Sequence, residues 1–431
     1  MIAILMAGCC ASLPAQSTYG SVLGTVKDSS GAAIPNATVK LTDLDENNSR
    51  ETKSNGNGDY QFLNVLPAHY SVTIENAGFD TFSATNVQLI ARQTLRIDAT
   101  LQVGQTTQSV TVEGASVGVI TTDTPAISAS LNPTNFPVNV RANGNTSPYL
   151  FIQAMPGVQP DEGGNYSIQG GIPSQTQYSV DGISVTNVGG NSPLTNAFPS
   201  TETIAEIRVQ GVGNNAEYGQ VGDVTTISKS GTNQFHGDTF WYTQNAALNA
   251  RHFGDATKPK LIANDYGVSG GGPVIIPKLY NGRDKTFFFG TYEGFRYPKE
   301  TAIQEQVPTQ AMRNGDFSAI LAATGETLHD PSGNPYPNNT IPASQISPIA
   351  QKFLTLYPLP NFTDPTSSVP GLGNNYRTNR DSSYHNEQYD VRIDQYLTSK
   401  QSFFARWTWK NIDSMNPQDL LVPSSSSIDQ Y

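Results

Sequence analysis

The chain has 431 residues, a formal net charge of -11 and only 14% charged residues, with Gly, Asn, Ser, Thr and Tyr plentiful. An acidic chain without clustered Lys and Arg excludes a nucleic-acid partner, because neutralising phosphates needs concentrated positive charge. No apolar stretch approaches the roughly 20 residues of a spanning helix, so entry into a membrane would require a barrel, the other structure that satisfies every backbone polar group in lipid.

Met1 to Leu13 is apolar and small, Pro14, Ala15 and Gln16 follow, and the first charged residue is Lys27. This reads as the tail of a secretory signal peptide over residues 1–15 whose basic n-region is missing. Cys9 and Cys10 are the only cysteines, so the mature chain is expected to carry no thiol, disulfide or Cys-based metal site. Met6-Ala7-Gly8-Cys9 loosely matches a lipoprotein cleavage box, with Met where Leu is usual.

From Gly20 to Leu101 apolar residues alternate with polar ones. Val22, Gly24 and Val26 share one face, as do Ala37, Val39 and Leu41, then Tyr70, Val72 and Ile74, then Leu95, Ile97, Ala99 and Leu101. Period two means strands. Asp28-Ser29-Ser30-Gly31 and Asn55-Gly56-Asn57-Gly58-Asp59 supply the residues that tight turns demand. About seven short strands in this span predict a Greek-key β-sandwich over residues 17–103. The stretches "GTVKDSSGAAIPNATVKL" and "NGDYQFLNVLPAHYSVTIENAGF" resemble the carboxypeptidase regulatory-like, or transthyretin-like, domain.

After Val103-Gly104-Gln105 the character changes. "YLFIQAMPGVQP", "YSIQGGIPSQTQYSVDGISVTN" and "IAEIRVQGVGNNAEYGQVGDVTTISKSGTNQFHG" follow in order, then "NDYGVSGGGPV", "DKTFFFGTYEGFR" and "VPTQAMRNGDFS". This series is similar to the TonB-dependent receptors, specifically the Oar-like group in which a regulatory-like domain precedes the plug. The resemblance implies a mainly β chain in the outer membrane: the sandwich in the periplasm, a linker and α+β plug over residues 104–231, and the start of a transmembrane β-barrel over 232–431. It also implies energy-coupled uptake without enzymatic activity or a cofactor, a TonB-type periplasmic partner, contact with outer-membrane lipid, and an extracellular substrate such as a carbohydrate or peptide. Ser109, Val110, Thr111, Val112 and Glu113 resemble the TonB box that family members place just before the plug. The same Val110 and Val112 spacing fits an extra strand of the sandwich equally well.

In the last third, Tyr389, Val391 and Ile393 alternate with Asp390, Arg392 and Asp394; Phe403, Ala405, Trp407 and Trp409 alternate with Ser402, Arg406, Thr408 and Lys410. One face is aromatic and apolar, the other charged, as expected where lipid and a wet lumen lie on opposite sides. An ordinary antiparallel hairpin remains the alternative. Strands are expected near 236–244, 264–270, 286–293, 386–394 and 401–410, and five cannot close a barrel whose minimum is about eight. The chain is therefore expected to be an N-terminal portion, ending in "SSSSIDQY" without strand alternation. Residues 295–381 read as a long Pro- and Asn-rich loop. It holds one short helix capped by Ser347 with Pro348 in its first turn, whose Ile349, Phe353 and Leu356 serve loop packing.

The chemical motifs are weak. Gly267-Val268-Ser269-Gly270-Gly271 has the nucleophile-elbow pattern, but Gly272 and Pro273 follow where a helix is needed. Gly211-Val212-Gly213-Asn214-Asn215-Ala216 matches a dinucleotide fingerprint without the helix that would hold a pyrophosphate. No His lies in a zinc-peptidase setting, and His69 reads as a strand residue. Asp43, Asp45 and Asn47 begin like a calcium loop but lack its Gly and Glu, which leaves an acidic turn and no metal. The competing function is a cell-surface adhesive protein whose sandwich binds carbohydrate.

Overall fold

A computed structural model describes residues 18–104, 109–113, 127–133, 148–161, 165–189, 192–194, 197–211, 213, 220–251, 258–369, 371, 373–398, 401–417 and 423–430. The chain is mainly β, with few and short helices. The expected leader and its two cysteines lie outside these residues, as does most of the Gly211 to Ala216 motif.

The first unit is a two-sheet sandwich. Its strands are β1 (Gly20–Asp28), β2 (Thr38–Asp43), β3 (Ser49–Lys53), β4 (Asp59–Val65), β5 (Ala68–Glu75), β6 (Thr81–Leu89), β7 (Thr94–Arg96), β8 (Ala99–Leu101) and β9 (Ser109–Glu113). One sheet runs β4-β1-β7 with β8 also on β1, the other β3-β2-β5-β6-β9. The four apolar faces read from the sequence meet between the sheets: Val22, Val26, Val39, Leu41, Val72, Ile74, Leu95, Ile97 and Leu101 are all buried in one core. Each fully buried aliphatic side chain contributes about 1.5–3 kcal/mol, so this unit has a core of its own. Tyr60 is buried with its hydroxyl donating to the Ile97 carbonyl at 2.7 Å, which satisfies the one polar atom it carries inward. Gly24 lies beneath it because no side chain fits there.

The middle unit holds β10 (Ser128–Leu131), β11 (Val158–Pro160), β12 (Tyr166–Ile168), β13 (Thr176–Val180), β14 (Ile183–Ser184), β15 (Ile204–Gln210) and β16 (Gly222–Ser228). Its main sheet has the order β10-β15-β16-β13-β14, mixed because β13 and β16 run parallel. Tyr149, Ile152, Tyr178, Phe198, Ile204, Ile207 and Val224 form its core. The helical segments of this unit among the described residues are 3-10 turns such as Pro148–Ala154 and Thr201–Thr203. On the other face of β15 and β16 stand Glu206, Arg208, Gln210, Asp223 and Thr225, all buried and all polar.

The third unit is one long antiparallel sheet: β17 (His236–Asn245), β18 (Ile262–Pro273), then, after the small hairpin β19 (Ile275–Ile276) and β20 (Tyr280–Asn281), β21 (Thr286–Glu305), β22 (Tyr376–Thr398), β23 (Gln401–Pro417) and β24 (Pro423–Gln430). They pair in that sequence order, and the sheet is not closed. The motif around Ser269 sits in β18, in a continuous ladder with β17 and β21, so no nucleophile elbow exists there. Two boundaries differ from the sequence reading. β21 and β22 remain paired from Thr286↔Gln395 to Glu305↔Tyr376, so the loop expected over 295–381 shrinks to 306–375. Polar residues such as Lys299, Glu300, Arg380 and Asp381 interrupt the alternation, and the buried Tyr297 and Ile303 are spaced too widely to mark a strand. The Ser-rich end pairs with β23 from Pro417↔Pro423 to Lys410↔Gln430, a sixth long strand held by backbone bonds that side-chain patterning does not report.

Ser347 caps the helix Pro348–Leu354, as the sequence indicates. Ile349 and Phe353 of this helix and Leu356 just beyond it are 70%, 58% and 56% exposed, so they project from the loop instead of packing within it.

A Cβ on Gly24 would stand 1.9 Å from the Ile97 carbonyl oxygen, a backbone atom that cannot rotate away. Gly24→Val should therefore destabilise a fragment spanning residues 17–113 by about 1–3 kcal/mol or more. The check is the urea midpoint followed by circular dichroism; an unchanged midpoint contradicts this packing.

Candidate functional site

In a water-soluble sheet the apolar residues of an alternating strand turn inward. On β22 and part of β23 the alternation is reversed, whereas β21 keeps Phe287, Phe289 and Phe295 buried. On β22, Asp390, Arg392 and Asp394 are 1%, 7% and 6% exposed, whereas their apolar neighbours Tyr389, Val391 and Ile393 are 43%, 41% and 44% exposed. Phe403 and Trp407 on β23 are likewise exposed, and Lys410 is buried. Such a surface suits lipid outside and a polar filling inside.

The polar side of these strands is met by the middle unit. Asp181, in the turn after β13, has a carboxylate that accepts from the Ser228 amide at 2.9 Å and hydroxyl at 2.8 Å. The same carboxylate meets two cations of the long sheet: Arg392 Nη1 at 3.3 Å and Arg406 Nε at 3.0 Å. Arg392 also donates to the Ser228 carbonyl, grips Asp394 through Nε and Nη2, and lays its guanidinium 4.5 Å from the Phe404 ring centre. A planar guanidinium can do all of this at once; an ammonium could not. Further along the strand the Ser200 amide donates to Asp390 at 2.9 Å, Gln388 Nε2 donates to the Phe198 carbonyl at 2.8 Å, and Ser200 and Thr203 bond Glu293 and Thr291.

The sandwich is clamped to the same unit. Arg92, held at a positive φ of 57° in the β6–β7 turn, donates to Gln210 Oε1 and Asp223 Oδ1, each at 2.8 Å. The Ala91 amide donates to Glu206 at 3.2 Å, and the Ser130 hydroxyl donates to the same carboxylate at 2.6 Å. Burial raises the Asp223 carboxyl and Arg92 pulls it back. Burial likewise raises Glu206, with Ser130 and Ala91 opposing.

The charged face of β22 and β23 was legible in sequence, but Arg92, Asp181 and Ser228 were not, since only the fold brings them to their partners. The positive φ of Arg92 appears only in the fold, and no local sequence feature marks the residue. The acidic turn at Asp43, Asp45 and Asn47 is a turn: Asp43 Oδ1 accepts from the Asp45 and Glu46 amides at 2.9 and 3.0 Å. His69 stands in β5, 3.6 Å from Asp45. No cluster of potential metal ligands occurs among the described residues. The candidate coupling segment Ser109 to Glu113 is β9, paired parallel with β6 from Thr81↔Ser109 to Thr85↔Glu113 at the edge of its sheet.

Residues 21–102 match the carboxypeptidase regulatory-like domain, and residues 227–430 match the outer membrane beta barrel domain. The TonB-dependent transporter Oar of Myxococcus xanthus is 25% identical over 329 residues, covering 69% of this chain and 28% of that protein. With a regulatory-like match ahead of a barrel match, the chain is similar to an Oar-like TonB-dependent receptor. This Oar-like chain thus spans less than a third of the length of the curated relative it matches. The barrel-domain match and the relative place it in the outer membrane. Among solved structures, a mutant of the ferric enterobactin receptor of Pseudomonas aeruginosa is similar at 14% identity and a TM-score of 0.36, covering 69% of this chain and 34% of its own. A putative carbohydrate binding protein of Bacteroides uniformis is similar at 17% identity and a TM-score of 0.17, covering 20% of this chain and 42% of its own.

Removing one member of a buried ion pair strands its partner, at about 3–5 kcal/mol. Asp181→Ala should therefore loosen the middle unit from the Oar-like sheet. Limited proteolysis in outer-membrane vesicles should cut within residues 127–228 at least tenfold faster than in the parent; equal rates contradict the role assigned to Asp181.

Proposed function

We propose that this chain is the N-terminal region of an energy-coupled outer-membrane importer. In this reading residues 1–15 are a signal peptide, 17–103 a periplasmic regulatory-like sandwich, 104–231 a linker and plug, and 232–431 the first part of the barrel. The single observation that carries the reading is the reversed alternation of β22 and β23 with the middle unit bonded to their polar side. A plug in a barrel lumen needs that arrangement: the wall must present hydrogen-bonding groups inward, and the plug must satisfy them without apolar burial that could not be undone.

Substrate approaches from the side of the 306–375 excursion, since long extracellular loops and short periplasmic turns are the rule for such barrels. The short connection 274–285 between β18 and β21 lies at the opposite end, where its Asp284 meets Asn47 of the sandwich. A carbohydrate or peptide is the substrate class we propose, taken up through movement of the plug.

The periplasmic partner is a TonB-type protein, and Ser109 to Glu113 is where it attaches. As the last strand of its sheet, β9 offers an open edge to which a partner strand adds through main-chain bonds. A pull along β9 loads its bonds to β6 in shear, and reaches the plug both through the chain leading to β10 and through the Arg92–Asp223 clamp. Pro removes a ladder donor and is poorly tolerated in a paired strand. Val110→Pro in the full-length protein should leave surface abundance and ligand binding normal and abolish energy-dependent uptake. Unchanged uptake rejects the coupling role, and loss of the folded sandwich assigns Val110 to the sandwich alone.

A further inference from the structure

The turn between β2 and β3 does more than reverse the chain. With Asp43 capping the Asp45 and Glu46 amides, the turn projects Glu46 away from the sandwich, yet its side chain is buried at 7% exposure. What buries it lies far along the chain. Asn233 donates its side-chain amide to the Glu46 carbonyl at 2.8 Å and its backbone amide to the Asp45 carbonyl at 3.1 Å. Asn233 Nδ2 also reaches Asp284 Oδ1 at 2.7 Å, and Asn47 Nδ2 reaches the same oxygen at 3.4 Å. Ser230 and Asn233 belong to the joint where β16 of the middle unit becomes β17 of the long sheet; Asp284 belongs to the turn before β21. One turn of the sandwich therefore bonds two segments at once, the joint and the turn before β21.

The carboxyl itself is placed against another acid. Ser230 Oγ stands 3.1 Å from Glu46 Oε1 and 3.0 Å from Asp394 Oδ2. A hydroxyl has one proton to give. It cannot donate to both carboxylates together, and the set is satisfied when Glu46 is neutral, donates to Ser230, and Ser230 donates to Asp394. The other groups facing Glu46 are Asp43 and Asp45 in its own turn, His69 and Tyr70 on β5, Lys229 at the joint, and Arg392 and Tyr396 on β22. Arg392 is already committed to Asp181 and Asp394, so it does not release Glu46 from its acidic neighbours.

We propose that the β2–β3 turn is a lock holding the N-terminal sandwich on the joint between the middle unit and the membrane sheet, and that Glu46 engages it in the neutral form. Burial, and then the Asp43 carboxylate, push the Glu46 carboxyl up to about 8, with Asp394 adding to the rise and Tyr396 and Ser230 opposing it. An acid whose value is raised in the docked state favours docking below its ordinary value and loses that contribution as pH climbs through the raised one. The lock is thus closed at neutral pH and opens above about 8.

The test is a spin-label distance in the full chain in outer-membrane vesicles, between Glu51→Cys on β3 and Leu279→Cys on the neighbouring turn, both exposed positions, with Cys9 and Cys10 replaced by Ser. The parent should give one narrow distance at pH 6 that broadens and lengthens at pH 9.5. Glu46→Gln, neutral at both values and able to donate to Ser230, should stay narrow at both. A label pair inside the sandwich, Glu51→Cys and Gln61→Cys, should stay narrow at both values in parent and variant, reporting that the unit itself is intact. A parent distance that stays narrow at pH 9.5, or one that broadens equally in Glu46→Gln, overturns the proposal.

Discussion

The rest of the structure depends on one constraint: a strand whose apolar side faces lipid must present its polar side to something that can bond it. On β22 that side carries Gln388, Asp390, Arg392 and Asp394 in succession, all buried. Left unpaired, each would cost about 1–3 kcal/mol, and the charged ones more. The middle unit answers them nearly residue for residue, with the Phe198 carbonyl, the Ser200 amide, and the Asp181 carboxylate with Ser228. These contacts are polar throughout. A hydrogen bond can be exchanged for water at small net cost, so such contacts fix the position of the middle unit without the area-dependent cost of separating an apolar interface.

The sandwich obeys the opposite logic. Its core is apolar and continuous, so it keeps its own shape, while its links to the other units are few, polar and specific. Arg92 reaches the middle unit and Glu46 reaches the joint from the same end of the sandwich, on different turns. A rigid body attached at two such points transmits displacement without deforming. The edge strand β9 adds a third point of attachment, open on one side.

Local patterning is enough to make the sandwich legible: the phases of Val22 to Val26, Val39 to Leu41, Val72 to Ile74 and Leu95 to Leu101 place every one of those residues in the core. The charged face of β22 is visible too, because alternation survives whichever side faces lipid. What alternation cannot show is the extent of β21 and β22 past Arg296 and below Asn386, where polar residues separate the few buried apolar ones and only the ladder defines the strand. The Ser-rich strand β24 escapes for the same reason. The site residues Asp181, Ser228, Arg92 and Glu46 are silent because their meaning is tertiary; each lies more than a hundred residues from the partner that explains it.

The central claim is that the reversed sheet crosses the outer membrane with the 306–375 excursion outside and the sandwich inside. Single cysteines at Ser332 and at Leu279, both exposed and at opposite ends of the sheet, test it directly in cells when labelled with a membrane-impermeant maleimide, Cys9 and Cys10 having been replaced by Ser. The account predicts that Ser332→Cys is labelled in intact cells and Leu279→Cys only after the outer membrane is permeabilised. Labelling of Leu279→Cys in intact cells, with Ser332→Cys protected, would contradict it.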